Sequence, residues 1–333
     1  VTSIDPECSA DDRARVAAAA GILARGGVVA IPTETVYGLG ADAANADAVR
    51  RVFAIKGRPA DHPVIVHVGG AEDIPRWARD VPAQAEMLAR RYWPGPLTLV
   101  LPRAADVADV VTGGQDTVAL RAPAHPLTQA LLRAFGGGIA APSANRHGRV
   151  SPTTAAHVRE DLGDAVDMIL DGGPCAVGLE STILALVGAE PVLLRPGAIS
   201  PEELGAVLGR PVALPGATTR IRAPGALAAH YAPRAPLELC APQALPARVA
   251  ELQAAGARVG CLLMDGAPAL PAGVVNVTLP ASAAAYGTGL YAALRRLDAA
   301  AVDRILVAQP PDDGAWRAVN DRLRRAARGS ASG

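Results

Sequence analysis

Apolar residues fall along the chain in two alternating rhythms, short β-branched runs and longer stretches with three-to-four-residue spacing. The alanine-rich stretch 11–25 has acids at its start and ends in arginine before Gly26-Gly27, which predicts a helix. Gly27 to Ile31 is a short apolar run closed by Pro32, a buried strand. Asn45 caps a second predicted helix in which Val49, Val52, Phe53 and Lys56 recur, ending at Gly57-Arg58-Pro59. Strands follow at 63–68, 97–101, 117–121, 138–141, 168–170, 183–187 and 191–195, with helices at 82–91 and 125–135, after Ser151, and from Pro201.

Residues 210–236 break this rhythm: they are rich in proline, glycine and alanine and read as a linker. Beyond Leu237 strand and helix alternate regularly, which argues for a small doubly wound parallel sheet. The organisation expected is therefore a domain over 1–209, a linker over 210–236 and a small α/β domain over 237–330.

Composition narrows the function classes. No apolar run approaches the roughly 20 residues of a membrane helix, and the first residues lack the pattern of a secretory signal, so a soluble cytoplasmic protein is expected. Cys8, Cys175, Cys240 and Cys261 stand far apart without metal-ligand spacing, so neither a disulfide nor a bound metal is expected. Basic and acidic residues balance at 32 each and only ten are aromatic, which speaks against a tight grip on nucleic acid through charge and stacking. Of the basic residues 31 are arginine and one, Lys56, is lysine. An ammonium binds phosphate as a point charge, unlike a flat guanidinium.

Candidate chemistry gathers at predicted strand ends. Pro32-Thr33-Glu34-Thr35-Val36-Tyr37-Gly38-Leu39-Gly40 delivers hydroxyls, a carboxylate and a phenol after the first strand, as a ligand cradle or as an ordinary strand-to-helix turn. His67 ends a strand and reads as a core histidine or a ligand contact, and Arg121 as an anion ligand or a surface ion pair. Ser143 and Asn145, two apart in an extended segment, would face one ligand. Ser151 reads equally as a helix cap or a phosphate contact. In the linker, the His230-Tyr231 pair fits a lid over a site, or simple docking on a surface. Walker loops, Gly-x-Ser-x-Gly elbows and His-Glu-x-x-His pairs are absent, and Gly38-Leu39-Gly40 imitates a dinucleotide fingerprint without the strand that should precede it. Lys56, Arg58, Arg121 and Arg195, with Thr35, Ser143, Asn145, Ser151 and Ser181, describe an anion-binding concavity without a nucleophile.

Pro32 to Gly40, Lys56-Gly57-Arg58-Pro59, Pro63 to His67, Trp93 to Leu99, Ala140 to Asn145, Ser151-Pro152-Thr153, Leu170 to Gly173, Glu180-Ser181-Thr182 and Arg195-Pro196-Gly197 resemble the successive signatures of YrdC-like domains. With His230-Tyr231-Ala232-Pro233 and the trailing domain, the chain resembles two-domain L-threonylcarbamoyladenylate synthases over nearly its whole length. The resemblance implies a twisted open mixed sheet with a concave basic pocket, followed by a small Rossmann-like parallel α/β domain. It implies a nucleotidyltransferase that joins L-threonine, bicarbonate and ATP, with Mg2+, for a later enzyme complex that modifies tRNA. ATP would be held by Lys56, Arg58, Thr117, Ser143, Asn145, Ser151 and Arg195, with His230 or Tyr231 closing over it. His62 joins them at a position where many relatives carry asparagine. Lys56 and Arg58 would also serve catalysis, and threonine would be held by Thr35, His67, Arg121, Ser181 and the backbone near Ala141. The rivals are carbamoyl transfer of the hydrogenase-maturation type, whose chains carry zinc fingers that these cysteines do not provide, and an RNA-binding module.

Overall fold

The computed structural model describes residues 9–59, 61–216, 221–225 and 230–330, which divide into two compact units. The first threads α1 (Ala10–Ala24), β1 (Val29–Ile31), β2 (Gly38–Asp42), α2 (Ala46–Lys56), β3 (Ile65–His67), α3 (Ile74–Trp77), α4 (Ala83–Tyr92) and β4 (Leu97–Pro102). It continues through α5 (Asp109–Thr112), β5 (Thr117–Arg121), α6 (Pro126–Phe135), β6 (Ile139–Ala140), α7 (Ala155–Leu162), β7 (Met168–Ile169), β8 (Thr182–Ala185), β9 (Val192–Arg195) and α8 (Pro201–Leu208). Its nine strands form one mixed sheet in the order β7-β1-β2-β6-β3-β5-β4-β8-β9.

The sheet's two faces differ. On one, Val66, Leu99, Leu120, Leu184 and Leu193 pack with α2, α3, α4, α5 and α8. On the other, Val29, Ile31 and Ile139 are covered by α1 and α6, but only at the β1 end. Cross-strand pairing continues this face from Ile139 to His67 on β3 and to Arg121 on β5. Around Ile65, Val100, Ala119, Ile183, Ala185 and Leu194 its buried cluster includes no helix residue; Ala223, from the segment 221–225, lies there instead. Among the described residues five of this sheet's eight strand pairings are antiparallel, yet both faces bury apolar residues because both are covered.

Helix ends follow the sequence signals. Asn45 caps α2 by accepting from Asp47 N and Ala48 N, and Gly57 closes it in the left-handed region at φ 64°. Ser200 and Glu203 form a capping box on α8. Ser151 is not a cap: α7 starts four residues later, with Thr154 accepting from His157 N. Gly38–Asp42 is a strand antiparallel to β1, a feature its Gly-Leu-Gly alternation conceals. A Cβ on Gly40 would stand 2.8 Å from Ile139 Cγ2 and 3.2 Å from Val29 O, so close strand packing requires the glycine.

The second unit contains β10 (Leu237–Cys240), α9 (Leu245–Ala254), β11 (Val259–Met264), β12 (Val275–Leu279), α10 (Ala283–Ala299), β13 (Arg304–Ala308) and α11 (Arg317–Ser330). Its four strands are all parallel, in the order β10-β13-β11-β12. The short stretches 148–151 and 177–179 group with this unit, and 221–225 groups with the first. Cys175, Cys240 and Cys261 are free and buried, and Cys8 lies outside the described residues. Among the described residues no helix is long and apolar enough to cross a membrane.

Candidate functional site

The helix-free half of the sheet face carries a connected set of polar groups. Loop 32–37 turns sharply because Thr33 Oγ1 donates to Val36 O at 2.7 Å and accepts from Thr35 N and Val36 N. That turn sets Thr35 and Glu34 over the end of β5. There Arg121 donates from Nη1 to Thr35 Oγ1 (2.8 Å) and from Nε to Gly95 O (3.2 Å), and its Nη2 pairs with Glu34 Oε1 (2.8 Å). Glu34 is itself fixed by Ala124 N at 3.0 Å. The side chains are 4% and 11% exposed, so this is a buried pair anchored by hydrogen bonds, the condition under which such a pair holds its geometry.

His67 lies directly across from Arg121 in the parallel pairing of β3 and β5. Its Nδ1 is buried without a hydrogen-bond partner, and burial, with Arg121 beside it, pushes the imidazole down to about 3. The ring is therefore neutral at physiological pH. Arg195 closes the same face at its far edge: Nε donates to Ser181 O (3.0 Å), Nη2 to Ser181 Oγ (3.0 Å) and Nη1 to Pro224 O (2.9 Å). Thr98 Oγ1 lies 2.7 Å from Ser181 Oγ, which makes Thr98, Ser181 and Arg195 one network.

Lys56 ends α2 and points its ammonium at two backbone carbonyls, Ser143 O and Asn145 O, the latter at 2.6 Å. His147 N returns a bond to Lys56 O at 2.8 Å, so the lysine pins loop 142–147. Burial first, and Arg58 second, hold Lys56 well below its ordinary range. This loop is stitched to loop 32–38 by Leu39 N to Pro142 O (2.7 Å), Ala144 N to Tyr37 O (2.8 Å) and a bridge between Gly38 and Ser143. The lysine corner and the Arg121 corner thus share one backbone framework.

Arg58 donates to Pro63 O at 2.7 Å and lies over the Phe53 ring. Ala141 N bonds to Ile65 O at 3.0 Å, placing that backbone beside β3. Thr117 begins the strand that Arg121 ends, so a rise of about 3.3 Å per residue puts the two roughly 13 Å apart. Segment 221–225 crosses this side. Arg222 N donates to Gln115 Oε1 (2.7 Å), Gln115 Nε2 to Arg222 O (3.0 Å), and Arg222 Nη2 to Gly113 O (2.7 Å).

The first unit therefore brings Thr35, His67, Arg121, Ser181 and Arg195 to one face and gathers Lys56, Arg58, His62, Ser143 and Asn145 beside it. Ser151, His230 and Tyr231 belong to the second unit. There Tyr231, at φ 63°, stacks on Tyr291 with centroids 5.8 Å apart, under Arg322 at 5.2 Å, while His230 N bonds to Arg325 O at 3.3 Å. Glu34, Thr98, Gln115 and His147 were not singled out from the sequence. Glu34 lies inside the motif 32–40, whereas Thr98 meets Ser181, Gln115 meets Arg222 and His147 meets Lys56 through long-range pairing.

Residues 21–197 match the Sua5/YciO/YrdC family model, described as Telomere recombination, and residues 199–328 match the model described as Threonylcarbamoyl-AMP synthase, C-terminal domain. The chain is 42% identical to the threonylcarbamoyl-AMP synthase of Bacillus subtilis, over 98% of this chain and 96% of the relative. It is 41% identical to that of Pyrococcus abyssi, over 94% of each. Its structure superposes on P. abyssi Sua5 complexed with L-threonine at a TM-score of 0.89 and 40% identity, covering 96% of this chain and 95% of the other.

Proposed function

The chain belongs to the threonylcarbamoyl-AMP synthase family, and from that premise we propose that it condenses L-threonine, bicarbonate and ATP into threonylcarbamoyl-AMP, releasing pyrophosphate. The observation that carries this reading is the pairing on one sheet face of a pinned guanidinium beside a neutral imidazole with a second guanidinium bound to a serine.

Arg121 spends three of its five donors on Thr35, Glu34 and Gly95, and two remain to grip the threonine carboxylate as a planar fork. The backbone at Ala141 lines the threonine pocket. His67 stays neutral beside Arg121, and the Arg121 charge favours threonine with its amine unprotonated. That amine attacks bicarbonate, or carbon dioxide from it, forming the N–C bond of an N-carboxylate and releasing water. The carboxylate oxygen then attacks the α-phosphorus in line, the bond to the β-phosphate breaks, and pyrophosphate leaves.

Lys56, Arg58 and Arg195 oppose the phosphate charge, with Thr117, Ser143 and Asn145 completing the first unit's share of the nucleotide site. Lys56 acts as much by ordering loop 142–147 as by its charge. Among the described residues no group of three His, Cys, Asp or Glu could hold a metal ion, and the proposed phosphate grip is cationic. Magnesium therefore enters on the phosphates of ATP as part of the substrate, where it supplies charge neutralisation. Ser181, bonded to Arg195, links the two substrates' sites. The product, a mixed anhydride of a carbamate and AMP, suits transfer to a tRNA nucleophile by a separate cytoplasmic complex.

Mass spectrometry of a reaction containing ATP, threonine and bicarbonate, run alongside a pyrophosphate assay, tests the reading. A threonine-dependent AMP adduct with equimolar pyrophosphate is expected. Full pyrophosphate release by Lys56→Ala or Arg58→Ala would overturn the phosphate assignment.

A further inference from the structure

His62 and His147 flank the Lys56 corner with ring centroids 5.9 Å apart and planes inclined at 47°. His147 is held there by its own amide bond to the carbonyl of Lys56, and His62 follows Arg58 on the loop leaving α2. Four basic side chains thus crowd one corner, and both histidines are half-buried. Asp61 and Arg222 act on His62 across the same corner, and Asp161 on α7 acts on Lys56. Cations outnumber carboxylates among these groups. A transition metal is a poor occupant, because two imidazoles among cations lack a third ligand among the described residues.

We propose that His62 and His147 form a second rank of phosphate ligands behind Lys56 and Arg58, and that a polyphosphate enters this corner with proton uptake by their imidazoles. The inference rests on the phosphate assignment of Lys56 and Arg58 made above. With no anion present, burial, then Arg58, Lys56 and His62, hold His147 down to about 4; burial and Arg58 lower His62. Both rings are then neutral at pH 7. A triphosphate reverses the local field, and each imidazolium gains N–H donors directed at phosphate oxygens. The nucleotide is thereby bound more tightly as pH falls toward 6.

Isothermal titration of the full chain with Mg·ATP at pH 7, in buffers of different ionisation enthalpy, counts the protons. The wild type takes up a fraction of a proton to about one per nucleotide. The count falls in His147→Asn and vanishes in the His62→Asn/His147→Asn pair. Wild-type affinity weakens about three- to tenfold from pH 6 to pH 8 beyond the nucleotide's own titration, and that excess is lost in the pair. Should a variant misfold, the carbon-bound imidazole protons of the wild type report the same event by NMR, their midpoints rising when ATP is added. Binding with equal proton counts in wild type and double variant, or unmoved midpoints, overturns the proposal while leaving the phosphate assignment standing. No ATP binding at all removes both.

Discussion

The two ends of one sheet face belong to a single sheet and do opposite work. At the β1 end, Val29, Ile31 and Ile139 disappear under α1 and α6, whose Val16, Ala19, Leu23, Ala130 and Leu131 complete an apolar cluster. At the β5 end the face turns polar at His67 and Arg121, and segment 221–225 covers it in place of a helix. Covering Arg121 and Arg195 with an apolar helix would strand their guanidinium donors, at a cost of several kcal/mol each. A strap of backbone can satisfy them, as Pro224 O does for Arg195. The helix-covered end stabilises the molecule, whereas the helix-free end gives up stability to place polar groups.

Arg121→Ala strikes hardest at the polar end, because it removes the carboxylate fork and strands Glu34. A loss of at least about a hundredfold in kcat/KM for threonine is expected, and Arg121→Lys restores little because a point charge cannot replace a pinned fork. Steady-state kinetics over a threonine series checks this. Leu131→Ala at the apolar end inverts the pattern. Urea unfolding should show about 2–5 kcal/mol lost, with kcat/KM of the folded protein changed less than about twofold. If it impaired kinetics as Arg121→Ala does, the contrast between the two ends would collapse.

Acid acts on the polar end through His67. The folded state holds His67 at about 3 and the unfolded chain near 6.5, so between these values the unfolded state binds the extra proton. The contribution is fully present above pH 6.5 and is lost as pH falls toward 3, the loss reaching about 2 kcal/mol by pH 5. Urea midpoints measured from pH 7 to pH 5 should fall, and His67→Gln should flatten that fall. Two milder substitutions finish the series. Thr98→Val removes one hydrogen bond from Ser181, worth about 1 kcal/mol, and should cost roughly fivefold in kcat/KM. Gln115→Ala frees Arg222 from its side-chain clamp and should raise the ATP KM about two- to threefold, with kcat nearly unchanged.

Legibility followed the range of the forces. Alternation at 63–68 and 117–121, the cap at Asn45 and the glycine stop at Gly57 are local, and the elements they predict are present. Gly38–Asp42 is a strand only because β1 and β6 pair with it, and Thr154 displaced Ser151 as a cap through a difference of three residues in where α7 begins. In the same way, ionisable residues at strand ends were legible one at a time. That Arg195 would hold Ser181, or that Lys56 would hold carbonyls on a loop 87 and 89 residues away, depends on strand order, which no window of sequence encodes.

With one lysine in 333 residues, the chain has a single side-chain primary amine, and that amine is sealed against two peptide oxygens. Acylating reagents that modify amines should leave this side chain untouched while loop 142–147 stays shut and mark it when the loop opens. Acylation mapped to the peptide that carries Lys56 would therefore report any such opening without an engineered label.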